Sequence, residues 1–224
     1  MGEMGSGGEK PLELSLPLEE PYFGPWRIVT VAAFVRALEA FPTATGKTKI
    51  VVIDGRSANG KSTLAALIHR AVPGSALVHT DDVAWHHSFF GWTALLVENV
   101  LEPARAGQAV NYRPPAWVER NREGAIEVPS KCSLLILEGV GAARRELMYL
   151  VDVVIWVQAD IRRAKTRGLI RDGDKAEATA FWGSWMAAEL PFLADQRPWE
   201  RADFVVSGMP QLEHDPTSQI VIAV

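Results

Sequence analysis

The stretch "KIVVIDGRSANGKST" at residues 49–63 decides the fold class. A β-branched run ends at Gly55, as is typical of a buried strand. Gly55 and Gly60 bracket four residues, and Lys61 and Ser62 complete the pattern G-x-x-x-x-G-K-[ST]. A helical pattern follows directly. A strand, a glycine-rich loop and a helix in this order predict a phosphate-binding loop.

Each residue type in this loop has a chemical reason. Glycines let backbone N–H groups turn toward a phosphate, and the following helix points the positive end of its dipole at the same anion. Lys61 can reach the β- and γ-phosphates, and the Ser62 hydroxyl can bind Mg²⁺. The predicted nucleotide-binding residues are Gly55, Ser57, Ala58, Asn59, Gly60, Lys61, Ser62 and Thr63.

Length and composition indicate one globular domain. The chain has 224 residues, of which 48% are hydrophobic and 22% charged. We expect a disordered tail over residues 1–20 and a single domain over 21–224. The first residues formally match the myristoylation pattern M-G-x-x-x-[ST] at Gly2 and Ser6, but the glycine-rich stretch favours a plain flexible tail.

Charge and cysteine content restrict the partners. The net charge of −4 implies no broad basic surface, so nucleic acid is not expected as a partner. The single cysteine, Cys132, permits no internal disulfide and fits a cytoplasmic protein. No apolar run approaches the roughly 18 residues that span a bilayer, so no membrane association is expected. Assembly into a homo-oligomer is left open.

Strand and helix patterns alternate along the chain, which predicts an α/β fold with a parallel sheet and helices on both faces. Helical spacing over residues 30–41 has Thr30 as a candidate N-cap. A second helical pattern, over residues 175–196, is expected to break or kink at Pro191. The predicted strands lie in "TKIVVIDG", "GSALVHTDD", "SLLILEG", "VDVVIWVQA", "ADFVVSG" and "QIVIAV".

Acidic residues end two of the predicted strands. Asp81 and Asp82 follow the second strand, and Glu138 ends "LLILE". Ligands bind at the carboxyl ends of strands in such sheets, so these acids are expected near the phosphate loop. Asp81 could accept a proton from a substrate hydroxyl, and Glu138 and Asp82 could serve Mg²⁺ together with Ser62. Asp82 could instead cap the next segment.

Arginines, histidines and tryptophans supply further candidates. Arg163, Arg167 and Arg171 share one helix face and could stabilise charge on a transferring phosphoryl group, although a solvated basic face is the alternative. His86 and His87 lack the partners of a zinc site and could line an acceptor pocket. The tryptophans at 182, 185 and 199 are expected to be packing anchors.

The set "IDGRSANGKST", "HTDD", "LILEG" and "VDVVIWVQADIRRAKTRGLIRD" resembles the uridine kinase-like P-loop kinases, relatives of phosphoribulokinase, over residues 48–208. The resemblance implies a three-layer α/β/α sandwich with a mainly parallel five-stranded core and a short helical lid. It implies ATP and Mg²⁺ as cofactors and a small hydroxyl compound as acceptor. It also makes Asp81 the base, Glu138 the metal-associated acid, and Arg167 and Arg171 lid arginines that join Lys61 in catalysis.

The chain departs from that family around the acceptor. "DVAWHH" follows Asp81 without the family's Phe-Tyr, and "NYRPPAW" keeps Tyr112 without the family's Asp-Phe and His. Uridine or cytidine as substrate is therefore in doubt. We predict an acceptor pocket between these two stretches, with Trp85, His86, Tyr112 and Arg163 as candidate substrate residues.

The sequence thus predicts an ATP-dependent kinase that phosphorylates a hydroxyl of a small metabolite, nucleoside-like or other. A kinase for a sugar, a vitamin or an antibiotic is one alternative, and an ATP-binding regulatory protein without catalysis is another. A GTPase is disfavoured because no N-K-x-D motif is present.

Overall fold

The strands of the chain form one large sheet and one small sheet. The computed structural model describes residues 14–43, 48–173 and 176–224. In these ranges the strands are β1 (Trp26–Thr30), β2 (Lys49–Gly55), β3 (Ala76–His79), β4 (Val110–Tyr112), β5 (Ile126–Val128), β6 (Leu134–Glu138), β7 (Val153–Gln158), β8 (Phe204–Ser207) and β9 (Gln219–Ala223). The large sheet has the order β1-β9-β8-β7-β2-β6-β3, and β4 pairs with β5.

Five neighbouring strands of the large sheet, β8, β7, β2, β6 and β3, pair in parallel. The predicted five-stranded parallel core is therefore confirmed. Two antiparallel strands extend it, because β9 pairs with β8 and β1 pairs with β9. The sequence analysis did not predict β1, whose residues are half-buried or exposed at the sheet edge and so lack a core pattern.

Helices connect the strands. They are α1 (Val31–Ala40), α2 (Lys61–Ala71), α3 (Thr80–Ala84), α4 (Thr93–Leu96), α5 (Glu102–Arg105), α6 (Pro115–Glu119), α7 (Ile161–Arg171) and α8 (Ala176–Gln196). A π-helical segment, Val97–Leu101, joins α4 to α5. Thr30 caps α1 as predicted, since its side chain accepts a hydrogen bond from the backbone N–H of Ala33. Among the described residues, no helix combines the length and apolarity needed to cross a membrane.

The expected break at Pro191 does not occur. Helix α8 continues through Pro191 to Gln196. A proline inside a helix removes one backbone hydrogen bond. Here Glu189 and Leu193, which flank the proline, are both buried against the rest of the protein. Tertiary contacts of this kind stabilise a helix more than local propensity does, so the helix persists.

Hydrophobic residues fill both faces of the central sheet. Along β2, Ile50 and Val52 face a cluster that includes the α4–α5 region, whereas Val51 and Ile53 face a cluster that includes α1 and α2. This alternation gives the three-layer sandwich that the resemblance implied. Strand β2 is buried along its whole length. The chain therefore leaves the buried layer only at Gly55, at the edge of the sheet, where the phosphate loop begins.

Part of the segment predicted as a tail contacts the domain. Residues 1–13, with the Gly2 and Ser6 pattern, lie outside the described residues. Residues 14–20, which we had assigned to the tail, lie against the domain. The Ser15 backbone N–H donates to Asp160 at 2.8 Å, and the buried carboxylate of Glu20 pairs with Arg56 at 2.7 Å. An internal counter-charge for Arg56 explains why this segment packs on the domain.

A buried aspartate ties β2 to the loop that follows β6. Asp54 is fully buried, and its carboxylate accepts hydrogen bonds from the backbone N–H groups of Gly55, Gly141 and Ala143 at 2.7 to 3.0 Å. Burial raises the pKa of Asp54 to about 6, although these three donors and the charge of Lys61 act in the opposite direction. At neutral pH the carboxylate is therefore ionised, but its ionisation opposes folding.

This pKa predicts a distinctive pH dependence of stability. Between about 4, the ordinary value for aspartate, and about 6, the folded protein holds a proton that the unfolded chain has released. The free energy of unfolding should therefore fall as pH rises through this window, by on the order of 3 kcal/mol from Asp54 alone. Urea unfolding at a series of pH values should show this component in the wild type and not in Asp54→Asn. Parallel pH curves for the two proteins would contradict the raised pKa.

Candidate functional site

The phosphate loop has the backbone that its sequence predicts. It leaves β2 at Gly55 and enters α2 at Lys61. Gly60 caps the helix in the left-handed region with φ of 97°, a conformation that glycine adopts without strain. Ala58 also has positive φ, at 60°. When residues of positive φ alternate with residues of negative φ, their backbone N–H groups turn toward a common centre. This is the geometry of an anion-binding loop.

Close packing with the end of β8 supports the loop from behind. A Cβ atom on Gly208 would lie 1.7 Å from the carbonyl oxygen of Asn59, so only glycine fits there. The Asn59 side chain donates to the carbonyl oxygen of Val157 at 3.0 Å. Asn59 therefore faces the sheet and has a structural role in the loop. The close contact between Gly208 and the Asn59 backbone fixes the distance between the loop and the end of β8.

Lys61, Ser62 and Glu138 meet at the ends of neighbouring strands. Lys61 is buried, and its ammonium group donates to the carbonyl oxygen of Arg56 at 3.0 Å. The Ser62 hydroxyl donates to Glu138 Oε1 at 3.2 Å, and His79 Nδ1 lies 2.6 Å from Glu138 Oε2. The sequence analysis placed Glu138 near Ser62 but did not predict the contact with His79, which follows from the pairing of His79 opposite Glu138 in β3 and β6.

The protonation states of this pair are linked. The hydrogen bond to Glu138 raises the pKa of His79, although burial acts against it. Burial by itself would raise the pKa of Glu138, but the hydrogen bond from His79 and the charges of Lys61 and His79 bring it below its usual value. Glu138 is therefore ionised at neutral pH, as a ligand for a divalent cation must be.

The two adjacent aspartates have different surroundings. Asp81 and Asp82 lie in the first turn of α3, because β3 ends at His79. Asp81 lines the main cavity beside Lys61 and Glu138. Removal of water by the surrounding protein raises the pKa of Asp81, and the nearby charge of Glu138 adds to this, while Lys61 lowers it. A raised pKa suits a carboxylate that accepts a proton.

The metal assignment of Asp82 is not supported by the geometry. Asp82 Oδ1 accepts a hydrogen bond from Arg122 at 2.6 Å, and its backbone carbonyl accepts one from the Trp117 indole at 2.8 Å. Asp82 does not belong to the cavity lining. The turn of α3 rotates it away from Asp81 toward α6, where a cation is already present. Its contacts are those of a residue that anchors this turn.

Two of the three arginines predicted to share a face of α7, Arg167 and Arg171, reach the cavity. Arg167 donates through Nε to the carbonyl oxygen of Ala58 at 2.8 Å, and its Nη2 contacts the same oxygen. Arg171 lines the cavity while paired with Asp172 at 2.7 Å. Arg163 does not line the main cavity. It lines a smaller cavity of about 380 Å³ with Met209, so its predicted contact with the acceptor is not supported.

The main cavity has a volume of about 870 Å³ and an aromatic wall. Trp85 and His86, which were predicted as candidate substrate residues, line this cavity. His86 has φ of 52°, in the left-handed region. Further rings come from two places that the sequence analysis did not assign to the site. They are Phe89, Phe181, Trp182 and Trp185.

Tyr112 does not line this cavity. The pocket was predicted between "DDVAWHH" and "NYRPPAW", and no residue of the second stretch lies in the cavity wall. Tyr112 is in β4 and packs against the hydrophobic cluster under the sheet. Helix α8 supplies the opposite wall instead. Trp182 is buried and Trp185 packs against a hydrophobic cluster, as expected of packing anchors, and both also line the cavity. Trp199 is a core residue as predicted. The signal that was available is the cluster "FWGSW", which places 181, 182 and 185 along one side of a helix.

Comparison with solved structures identifies the architecture. No family model matches the sequence, and no curated protein matches it. A protein provisionally described as a uridine kinase from Bacillus stearothermophilus is 20% identical, with a TM-score of 0.52 over 78% of this chain and 96% of that one. A provisionally described fructose transport system kinase from Silicibacter sp. TM1040 is 19% identical, with a TM-score of 0.54 over 78% and 95%. The fold is that of a P-loop NTPase. At these identities the likeness extends to the fold, and the residues themselves must carry any argument about chemistry.

The contact between Gly208 and the loop predicts a specific loss of binding. Gly208→Ala should weaken the affinity for Mg·ADP by about tenfold or more, because a Cβ atom there collides with the backbone of Asn59 and displaces the loop. Titration calorimetry measures the affinity, and thermal melting checks that the variant is folded. Gly183→Ala is the matched control, since an added Cβ there meets nothing within 4 Å. Equal affinities for the two variants would contradict this role of Gly208.

Proposed function

We propose that the chain is an ATP-dependent kinase that transfers a phosphoryl group to a hydroxyl of a small molecule. One observation carries the proposal. A single cavity is lined by a phosphate loop, a carboxylate suited to accept a proton, an acid suited to a metal ion, and two arginines. These residues are Lys61, Ser62, Asp81, Glu138, Arg167 and Arg171.

The residues present suit a nucleotide with its magnesium ion. The Ser62 hydroxyl and the Glu138 carboxylate are neighbouring oxygen donors, which Mg²⁺ prefers, and these two groups would hold it. When bound, Mg²⁺ would neutralise charge on the phosphate oxygens. Arg163 and Met209 form the smaller cavity beyond Arg167, and this cavity is where we place the base of the nucleotide. The loop then lies between the base and the aromatic wall.

The reaction follows from this placement. The bond between the γ-phosphorus and the bridging oxygen of ATP breaks, and a bond from the γ-phosphorus to the acceptor oxygen forms. Asp81 takes the proton of the acceptor hydroxyl. Lys61 and the two lid arginines stabilise the negative charge on the phosphoryl group as it moves. The aromatic wall of Trp85, Phe181 and Trp185 surrounds the acceptor and limits access of water.

The acceptor is a small compound that contacts rings on two sides. Its wall comes from the segment after α3 and from α8, and Tyr112, at which the family's nucleoside contacts were expected, takes no part. The cavity wall therefore does not favour a nucleoside over other hydroxyl compounds as the acceptor. A sugar, a vitamin or an antibiotic with a free hydroxyl remains within the same proposal.

Acceptor-dependent release of ADP tests the proposal. Nucleosides, sugars, vitamins and amino alcohols are offered with Mg·ATP, and ADP is measured in a coupled assay. Lys61→Met should lose phosphoryl transfer by at least about 100-fold, because the ammonium charge is lost while the buried stem is kept. Lys165→Met, on the exposed face of α7, is the control and should retain the wild-type rate. A regulatory protein without catalysis would bind ATP and release no ADP with any acceptor.

The two aspartates give a sharper test. Asp81→Asn should lower kcat by about 10²- to 10⁴-fold with little change in ATP affinity, as expected for loss of a general base. Asp82→Asn should lose much less, because its carboxylate pairs with Arg122 outside the cavity. The measurement is kcat for both variants at saturating acceptor, with ATP affinity determined separately. An inactive Asp82→Asn beside a nearly normal Asp81→Asn would reverse the assignment.

A further inference from the structure

A buried carboxylate contacts the phosphate loop from the acceptor side. Glu189 lies on α8 and is 1% exposed. Its Oε2 accepts hydrogen bonds from the Ser57 hydroxyl at 2.6 Å and from the Ser57 backbone N–H at 3.2 Å. The indole N–H of Trp185 donates to the same oxygen at 2.6 Å. Nothing in the sequence motif of the loop predicts this contact, because the two residues are separated by 132 positions.

The surroundings of Glu189 are unusual for a buried acid. Among the described residues, no lysine or arginine forms an ion pair with its carboxyl group, and its contacts are two hydrogen-bond donors on Ser57 and one on Trp185. A buried polar group without partners is costly, so these three donors are what holds the side chain in place. The position of Glu189 is therefore linked directly to the positions of Ser57 and Trp185.

The location of Glu189 suggests a role for its carboxyl group. Ser57 and Trp185 both line the main cavity, whereas Glu189 lies behind them. Ser57 is the loop residue that faces the aromatic wall, and Trp185 is part of that wall. The Trp185 indole N–H also contacts the Ser57 hydroxyl at 2.5 Å. Glu189 thus joins the phosphate loop at Ser57 to one wall of the acceptor pocket at Trp185, mainly through its Oε2 atom.

We propose that Glu189 is a positioning residue for phosphoryl transfer, which fixes the Ser57 corner of the loop and the Trp185 wall in one arrangement. The inference rests on the proposed kinase function. The phosphoryl group and the acceptor hydroxyl must meet within a few tenths of an ångström, and a displacement of about 1 Å can cost about 100-fold in rate. Because Glu189 does not line the cavity, it acts through Ser57 and Trp185 and touches neither substrate.

Three substitutions test this role. Glu189→Gln keeps the shape but replaces one acceptor oxygen by a donor that faces other donors. Trp185→Phe keeps a ring in the wall and removes the indole N–H, and Ser57→Ala removes the hydroxyl. Glu189→Gln should lower kcat by about tenfold or more while the KM for the acceptor changes less than about threefold. The double variant Glu189→Gln/Ser57→Ala should be no slower than Glu189→Gln alone, because both remove the same contact.

The decisive reading is the ratio of two rates in the same preparation. ATP hydrolysis without acceptor is compared with phosphoryl transfer to acceptor. Misalignment slows transfer to the acceptor more than it slows attack by water. The ratio of the hydrolysis rate to the transfer rate should therefore rise in Glu189→Gln and in Trp185→Phe. A variant that is merely less stable loses both rates by one factor and leaves the ratio unchanged. Glu177→Gln, an exposed acid on the same helix, is the matched control and should match the wild type in both rates.

Each outcome is informative. An unchanged ratio, or a Glu189→Gln protein with wild-type kcat, would overturn the positioning role while leaving the kinase proposal in place. A wild type that transfers phosphate to no acceptor would overturn the proposed function, and this inference with it. If Glu189→Gln does not fold, as judged by thermal melting, Trp185→Phe and Ser57→Ala carry the same comparison of rates.

Discussion

The register between β2, β6 and β3 determines where the chemistry of this protein can occur. Ile53 pairs opposite Glu138, and His79 pairs opposite the same residue from the other side. Because all three strands run in parallel, and β2 and β6 are buried along their whole length, their polar continuations emerge together at one edge of the sheet. The loop, the acid of β6 and the aspartate after β3 are neighbours for this reason. A shift of one residue in either pairing would separate them.

The parts of the site that depend on strand ends could be predicted from the sequence. Lys61, Ser62, Asp81 and Glu138 follow apolar runs that any parallel sheet must bury, so their proximity follows from strand order alone. The five-stranded core was implied by the family resemblance, and the cap at Thr30 by a threonine placed directly before a helical pattern. Strand β1 was not, because an edge strand with half-exposed residues has no clear hydrophobic period.

The residues that were misplaced depend on packing between distant segments. Tyr112 was assigned through the family resemblance, Arg163 through its helix face and Asp82 through its place after a strand. Their surroundings come instead from the small sheet, from the smaller cavity beside α7 and from Arg122. The aromatic wall was underestimated because its two halves lie about ninety residues apart in sequence, near Phe89 and near Trp182. Glu189 was missed altogether, since an acid in the middle of a helix resembles a surface residue until its partner on the loop is known.

The supports of the phosphate loop lie on both sides of the motif in the sequence. Glu20, which precedes the motif, pairs with Arg56, and Gly208, which follows it at a long distance, contacts Asn59. During synthesis the motif leaves the ribosome well before Gly208 does. A nascent chain between these two points contains the whole motif without its support from β8. The loop therefore reaches its final arrangement only after β8 has paired with β7.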